Sequence, residues 1–387
     1  MNRDIRTFLT PSCRLLGLGE PTHQEPAFGR ARNALLRDLV DAGFRSVALE
    51  TDRIAALAVD DFVRHGTGTL DTATAEGFTH GFGELEPNRQ LVSWLHAHNR
   101  ELPPEQRVAF HGFDAPTENT TAPSPRPYLQ HALDHLGETL DLAALTGPDE
   151  RWSRTEAVLD AAASPGATPE AARLRLLADD LLNRLHERAP ELIAASSPEA
   201  WLRARAHLTT GLGVLRYHAQ AAVQGLELNE RISRLLGSRD ALMARNLLEI
   251  REIEAGRGPT LVFAHNAHLR RGPSAWSAGE MRTRWSGAGS ILAPLLGEGY
   301  VFVAGSLGRS ERIGLDDPAL GTYEGSLQHA VRGWGLTAPA TARGEARSLT
   351  EAAPEKGYFP LDDALPGEAD VLLHLADPAS VAAPDAS

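Results

Sequence analysis

The sequence predicts an α/β protein in which a central, mainly parallel sheet with flanking helices carries a large helical insertion between two α/β halves. Short apolar runs bounded by turn residues recur along the chain, as expected for buried parallel strands. Helical patterns lie between several of these runs, which favours an α/β arrangement. The middle of the chain differs, because residues 152–256 contain no strand-like run and show helical periodicity instead.

Six apolar runs are the predicted strands of the sheet. We expect residues 1–119 to form the first α/β half, residues 120–257 the helical insertion, and residues 258–387 the second half of the same sheet core. Loops are expected at residues 115–126 and 270–289, and a frayed tail after Pro378. The predicted strands are residues 14–19, 45–50, 108–114, 260–264, 300–305 and 370–375.

Two proline-containing starts and one leucine stripe define helices in the insertion. Thr168 and Ser197 each stand before a proline and a glutamate, the pattern of an N-cap followed by proline at the first helical position. The leucines after Thr168 recur at helical spacing and form one face. These leucines are Leu174, Leu177, Leu181 and Leu185.

Composition excludes several classes of partner. The chain has 387 residues, 38 basic and 51 acidic, for a formal net charge of −13. Without a cluster of basic residues, an acidic chain is a poor candidate for binding nucleic acid or an anionic membrane. Cys13 is the single cysteine, so an internal disulfide and a cysteine-based zinc site are excluded. No apolar run approaches membrane-span length and residues 1–9 lack a signal-type apolar segment, so we expect a soluble, cytoplasmic protein.

Acidic and histidine side chains follow the predicted strands at the point where each strand ends. In open α/β sheets, sites form beyond the carboxyl ends of the strands. Because these side chains would converge on one edge of the sheet, they are the candidate site. They are Glu20 and His23 after the first strand, Glu50 after the second, Asp114 after the third, and His265 and His268 after the fourth.

Arg32 is a second, independent indication of a site. The helix predicted from Glu25 to Ala42, ended by Gly43, has an apolar stripe, and Arg32 falls in the middle of it. A buried guanidinium needs a partner, and we expect a carboxylate from Glu20 or Glu50 to provide it.

The segment Gly19-Glu20-Pro21-Thr22-His23, followed by Arg32 and then by Glu50, resembles the opening signature of the erythromycin esterase family. The spacing from His23 to Arg32 also matches that family. Further blocks resemble it in the same order, so the resemblance covers most of the chain and is weak over residues 121–230. These blocks are residues 94–99 leading to 112–114, then 239–246, 264–268 and 370–375.

The resemblance implies hydrolysis of a macrolactone ester, an activity associated with antibiotic resistance, without metal or cofactor. It assigns His23 as the base that activates water, and places Glu20, Glu50, Arg32 and His265 around it as catalytic residues. Arg239, His268 and Asp114 are assigned to substrate binding. The substrate is then a small-molecule ester or lactone.

This chemistry is reasonable for these residue types. A neutral imidazole takes a proton from water near neutral pH. A carboxylate on its other ring nitrogen fixes the tautomer, while Arg32, Arg239 or a protonated His265 offsets charge on the carbonyl oxygen. The chain has no Gly-x-Ser-x-Gly elbow, which argues against a serine hydrolase.

Three alternative functions fit the same residues. One is a biosynthetic acyltransferase or cyclisation enzyme of natural-product metabolism, in which a hydroxyl or amine replaces water. Another is a metallohydrolase, since the histidines and glutamates of the cluster are acceptable ligands. A non-enzymatic small-molecule binder is the third, although a simple binder needs fewer polar groups in its cleft.

Trp201, Trp276 and Trp285 could line an apolar pocket or pack in the core. The oligomeric state does not follow from the sequence.

Overall fold

The computed structural model describes residues 3–118, 120–347 and 357–382, which group into two compact units. The first unit comprises the described residues of Met1–Glu50, Ala55–Phe113 and Met243–Ser387, and the second comprises those of Thr51–Ile54 and Asp114–Leu242. The predicted boundary residue Asn119 lies outside the described residues, and the three-part division of the sequence stays a prediction.

A seven-stranded sheet carries the fold of the first unit, in the order β3-β2-β4-β1-β7-β9-β8. Pairs β1–β4, β1–β7, β2–β4 and β7–β9 are parallel, whereas β8 pairs antiparallel with β9. The mainly parallel sheet predicted from the sequence is therefore confirmed. The strands are β1 Leu15–Glu20, β2 Ser46–Asp52, β3 Ala109–Asp114, β4 Thr260–His265, β5 Ser274–Ala278, β6 Met281–Trp285, β7 Tyr300–Leu307, β8 Trp334–Thr337 and β9 Val371–Leu375.

Each of the six apolar runs forms a strand, because a strand buried on both faces needs apolar side chains throughout. The loop predicted over residues 270–289 is wrong: β5 and β6 pair there as an antiparallel hairpin. Gly279 provides the positive φ (55°) that the tight turn between them needs. Strand β8 was also missed, since its four residues are too few to show a pattern.

Helices flank the strands and make up the middle of the chain, as predicted. They are α1 Ala27–Asp41, α2 Leu57–His65, α3 Leu70–Glu76, α4 Glu86–Arg100, α5 Arg126–Leu136, α6 Leu142–Thr146, α7 Glu150–Ser153, α8 Glu156–Leu159, α9 Pro169–Glu187, α10 Ala189–Ala195, α11 Pro198–Ala221, α12 Leu228–Glu254, α13 Asn266–Leu269, α14 Ala288–Leu296, α15 Tyr323–Ala330 and α16 Leu365–Glu368. Within the described residues, none of these helices is both long and apolar enough to span a membrane.

The helices of the second unit pack around their own apolar cluster. Residues 152–256 contain no strand, as the sequence predicted. The side chains of Thr168 and Ser197 cap α9 and α11 by accepting hydrogen bonds from the backbone N–H groups of Ala171 and Ala200. The cluster includes Leu174, Leu181 and Leu185 from α9 together with Leu208, Leu212 and Leu215 from α11.

Two close approaches shape the edge of the sheet where the site lies. The side chain of Asn266 bonds to both backbone groups of Gly305 in β7, accepting from its N–H (2.9 Å) and donating to its carbonyl (2.8 Å). A Cβ at Gly19 would collide with the same Asn266 side chain. Gly19 therefore lets the ends of β1, β4 and β7 come together at this edge.

Candidate active site

Adjacent parallel strands bring the first residues of the candidate site together. In the β1–β4 ladder, Glu20 pairs in register with His265. Glu50 lies in β2, which is the neighbour of β4 on its other side. All three residues are buried, with at most 7% of their surface exposed. The convergence of strand ends thus places Glu20, Glu50 and His265 at one edge.

His23 lies on the loop between β1 and α1 and contacts both glutamates. Its Nδ1 is 2.7 Å from Glu20 Oε1, a hydrogen bond, and its Nε2 is 3.9 Å from Glu50 Oε1. About a third of the His23 side chain is exposed. Because a carboxylate accepts at Nδ1, the proton of a neutral His23 sits on Nδ1, and Nε2 presents its lone pair.

Glu50 connects three elements of the site. Its Oε2 accepts a hydrogen bond from the backbone N–H of His265 (2.9 Å), and its Oε1 lies 3.2 Å from Nε2 of His268. The same Oε1 faces His23. Glu50 therefore fixes the end of β4 and the start of α13 relative to His23.

Arg32 is 1% exposed, but its hydrogen-bond partners differ from those predicted. The guanidinium donates to Asn33 Oδ1 (2.7 and 3.0 Å), to Asn88 Oδ1 (2.8 Å) and to the carbonyl of Pro87 (3.2 Å). It also lies over the ring of Phe263, 4.8 Å from the centroid. The expected direct carboxylate partner is therefore wrong: neutral acceptors hold the guanidinium.

His265 is a neutral hydrogen-bond donor in this structure. Its Nδ1 accepts the backbone N–H of Ala267 (3.1 Å), which caps α13 and leaves the ring proton on Nε2. This buried Nε2 meets no acceptor at full hydrogen-bond geometry among the described residues, although the backbone of Pro21 is close enough to raise the pKa of the ring. Burial, together with the nearby His23, lowers the pKa of His265 to about 3. A neutral imidazole thus replaces the protonated His265 considered from the sequence.

The pKa values of the remaining groups follow from burial and from their neighbours. Burial lowers the pKa of His23, but the Glu50 carboxylate and the hydrogen bond to Glu20 outweigh it, so the pKa of His23 is raised. Burial also raises the pKa of Glu20. The pKa of Arg32 falls to about 10 because of burial, so its guanidinium stays charged at neutral pH.

A smaller and a larger cavity, both lined by described residues, adjoin this site. The smaller has a volume of about 30 Å³ and is lined by Glu20, His23, Arg32 and Glu50 together with Phe82. It has room for one or two water molecules. The larger has a volume of about 270 Å³ and includes His265 in its wall. The His23 and His265 rings, 5.4 Å apart between centroids, lie next to the smaller and the larger cavity respectively.

Asp114 and Arg239, the other predicted site residues, belong to the second unit and pair with each other. The pair is bidentate, with Nε 2.9 Å from Oδ1 and Nη2 2.5 Å from Oδ2. The Asp114 side chain is fully buried and that of Arg239 is 16% exposed. Their part in substrate binding stays a prediction, as does that of His268.

Sequence reasoning missed the residues that support the charged groups. Asn33 and Asn88 hold Arg32, and the ring of Phe82 packs against His23 with centroids 4.9 Å apart. Asn33 could have been found, because it follows Arg32 on the same buried side of α1. The segment that contains Asn88 and Phe82 shows no sequence pattern that would predict a contact with the site.

The fold and this edge together define an α/β protein with a histidine–carboxylate site of the kind used in general-base catalysis. The model of the erythromycin esterase family matches residues 40–377. The chain therefore belongs to the erythromycin esterase family, and membership in this family supports hydrolase activity.

Known proteins similar to this chain agree with that assignment. An erythromycin esterase type II from Escherichia coli is 24% identical over 352 residues, which cover 84% of this chain and 79% of that protein. Solved structures also share the fold. A mutant of erythromycin esterase EreC in its open conformation has a TM-score of 0.66 at 19% identity, with 96% of this chain and 93% of that chain covered. A Bacillus cereus protein has a TM-score of 0.69 at 17% identity, with 96% and 90% covered.

Proposed function

We propose that this chain hydrolyses a carboxylic ester or lactone, with His23 as the base that takes a proton from water. The observation that carries this proposal is the 2.7 Å hydrogen bond between His23 Nδ1 and Glu20. It leaves Nε2 as the basic nitrogen and provides a carboxylate that stabilises the imidazolium formed when the proton is taken.

The position of the attacking water follows from the small cavity. Nε2 of His23 and Oε1 of Glu50 are 3.9 Å apart, too far for a direct hydrogen bond. The adjoining 30 Å³ is enough for a water molecule beside His23, Glu50 and Arg32. We assign this place to the water that His23 activates.

Charge on the substrate oxygen would be stabilised by His265 and Arg32. As the water oxygen bonds to the carbonyl carbon, its proton moves to His23 Nε2 and the carbonyl oxygen becomes an oxyanion. The neutral His265 would donate its Nε2–H, now buried, once its ring turns toward the substrate, and the nearby charge of Arg32 favours the anion. When the carbon–oxygen bond to the leaving alcohol breaks, His23 returns the proton to the alcohol.

The arrangement supports a mechanism without a metal ion. Among the described residues, the glutamates and histidines of this edge do not bring three potential ligand atoms within 4.8 Å of one another. The charge of the buried Arg32 next to the small cavity also opposes a cation there. These features favour the water-activating role of His23 over a metallohydrolase that uses the same side chains.

Product analysis tests the proposal. The purified protein is incubated with macrolides, simpler lactones and open-chain esters, and the products are identified by mass spectrometry. The proposal predicts a gain of one water, undiminished by EDTA. Products joined to an added alcohol or amine instead of water would indicate an acyltransferase. Loss of activity in EDTA and recovery with zinc would indicate a metallohydrolase.

A further inference from the structure

We propose that the cavity beside His265 binds a compact, largely apolar group attached to the reacting ester, and that the β5–β6 hairpin limits the size of that group. This inference rests on the proposed function, because it places the ester between His23 and His265. It goes further by naming the class of substrate: esters whose acyl or alcohol part is a small aromatic or branched apolar group.

The cavity begins at the candidate active site. His265 is part of its wall, and the ring of Phe359 packs edge-on against the His265 ring with centroids 4.8 Å apart. An ester carbonyl held beside the His265 ring therefore has this space within reach of its substituent. Tyr358, Leu361 and Leu365 complete an aromatic and aliphatic lining, and all three are buried.

The two arginine side chains in the wall of the cavity already form ion pairs or hydrogen bonds within the protein. Arg270 pairs with Asp362 and with Glu368, its Nη2 lying 2.9 Å from Glu368 Oε1. Both terminal nitrogens of Arg347 donate to backbone carbonyls, those of Gly308 and Asp316. The Nε of Arg347 has no hydrogen-bond partner among the described residues, but the terminal nitrogens of both arginines are bonded within the protein, so the wall offers an incoming group mainly apolar contact.

The volume limits what fits. An apolar cavity of about 150 Å³ accommodates benzene, so the 270 Å³ here suits a group up to about twice that size. Drug-sized ligands fill pockets of about 300–1,000 Å³. The cavity therefore matches one compact substituent of an ester.

The hairpin supplies one side of the cavity. Residues from Ser274 to Ser277 of β5 line it, with the partly exposed Trp276 as the largest side chain among them. The hairpin is separate from the seven-stranded sheet, and Trp276 on it is partly exposed. Substitutions there should change the size of the accepted group without disturbing His23.

Two substitutions of Trp276 test the inference in steps. Trp276→Phe enlarges the cavity slightly, and Trp276→Ala enlarges it further, because Trp276 lies on the same face of the hairpin as the buried Ser274. Trp94→Ala is the matched control, because Trp94 is a partly buried tryptophan of α4 that stacks on His98 and is not part of the cavity wall. Circular dichroism and thermal unfolding confirm that each variant folds.

The readout is affinity as well as turnover. Dissociation constants are measured for two series of non-hydrolysable amides that carry a methyl, phenyl or naphthyl group. The group is on the acyl side of the amide in the first series and on the amine side in the second. We expect phenyl to bind about tenfold more tightly than methyl in the parent. Trp276→Phe should weaken that preference, Trp276→Ala should shift it toward naphthyl, and Trp94→Ala should leave it unchanged.

Affinity that is independent of substituent size, or equal effects of the hairpin and control variants, overturns the inference. Amide binding needs no turnover, so this outcome is separate from failure of the proposed function. That failure would appear as the expected binding pattern with no hydrolysis of the corresponding esters.

Discussion

Replacing Glu20 with glutamine tests how His23 is held and charged. The substitution keeps the size of the side chain but removes the carboxylate that lies 2.7 Å from His23 Nδ1. A glutamine amide can donate to Nδ1, which would move the ring proton to Nε2 and leave the wrong nitrogen basic. The imidazolium also loses its closest counter-charge.

The expected loss of rate follows from this hydrogen bond. A hydrogen bond to a charged group contributes about 1.5–3 kcal/mol. Because each 1.36 kcal/mol is tenfold in rate, losing the bond only in the transition state lowers kcat about 10- to 100-fold. The wrong tautomer adds to this, so the total should fall within the roughly 10²–10⁴-fold range that removal of acid–base assistance produces.

The pH dependence provides the second readout. His23 acts as a base only when neutral, so kcat rises with pH as His23 loses its proton. The Glu50 and Glu20 carboxylates raise the pKa of His23 against the effect of burial, so this rise is centred above the usual value of 6.5. In Glu20→Gln one raising contribution is lost, and the centre must move to lower pH.

The assay is kcat against pH for the parent, Glu20→Gln and the exposed control Glu298→Gln. We expect the control to match the parent in both rate and pH profile. A Glu20→Gln protein with near-parent kcat, or with a profile moved to higher pH, would refute the tautomer argument.

Three further predictions concern buried ionisable groups. Arg239→Ala should lower the free energy of unfolding by about 3–5 kcal/mol, because it removes the bidentate partner of the fully buried Asp114 carboxylate. The exposed Arg234→Ala should cost less than about 0.5 kcal/mol in the same denaturant titration, and equal losses would contradict this. Arg32→Lys should lower both kcat and the free energy of unfolding, because an ammonium group cannot reproduce the planar set of hydrogen bonds to Asn33 and Asn88. Near-parent values of kcat and of the free energy of unfolding would refute this role of the guanidinium. The free energy of unfolding should fall as the pH drops below about 6.5, because the histidines of the unfolded chain bind protons there while the buried ones do not. The pKa is lowered to about 4 for His207 and His218 and to about 3 for His265 and His374. A stability that stays flat between about pH 6.5 and 4 would count against these lowered pKa values.

The sheet could be predicted because the requirement that makes a buried strand apolar acts within each short stretch of sequence. Strands buried on both faces must be apolar over their whole length, and β1, β2, β4 and β7 show this directly in the sequence. The β5–β6 hairpin carries no such signal, since its strands mix serine, threonine and arginine with tryptophan. Its pairing depends on a turn at Gly279 that resembles any other glycine in a loop.

The site was predictable where it depends on topology. Parallel strands end at one edge, so Glu20, Glu50 and His265 could be placed together before any contact was known. The partner of Arg32 could not, because Asn88 is 56 residues away in sequence and an asparagine gives no indication of its contacts. The charge of His265 also depends on burial and on the Ala267 N–H, neither of which the sequence shows.

The most direct test of the central claim is the hydrolysis rate of His23→Ala in ¹⁸O-labelled water. The control is His329→Ala, an exposed histidine on α15. We predict that the parent and the control place one ¹⁸O in the carboxylic acid product, and that His23→Ala loses at least 10²-fold in kcat while remaining folded. A His23→Ala protein with parent-like kcat would contradict the account, as would an acid product without the label.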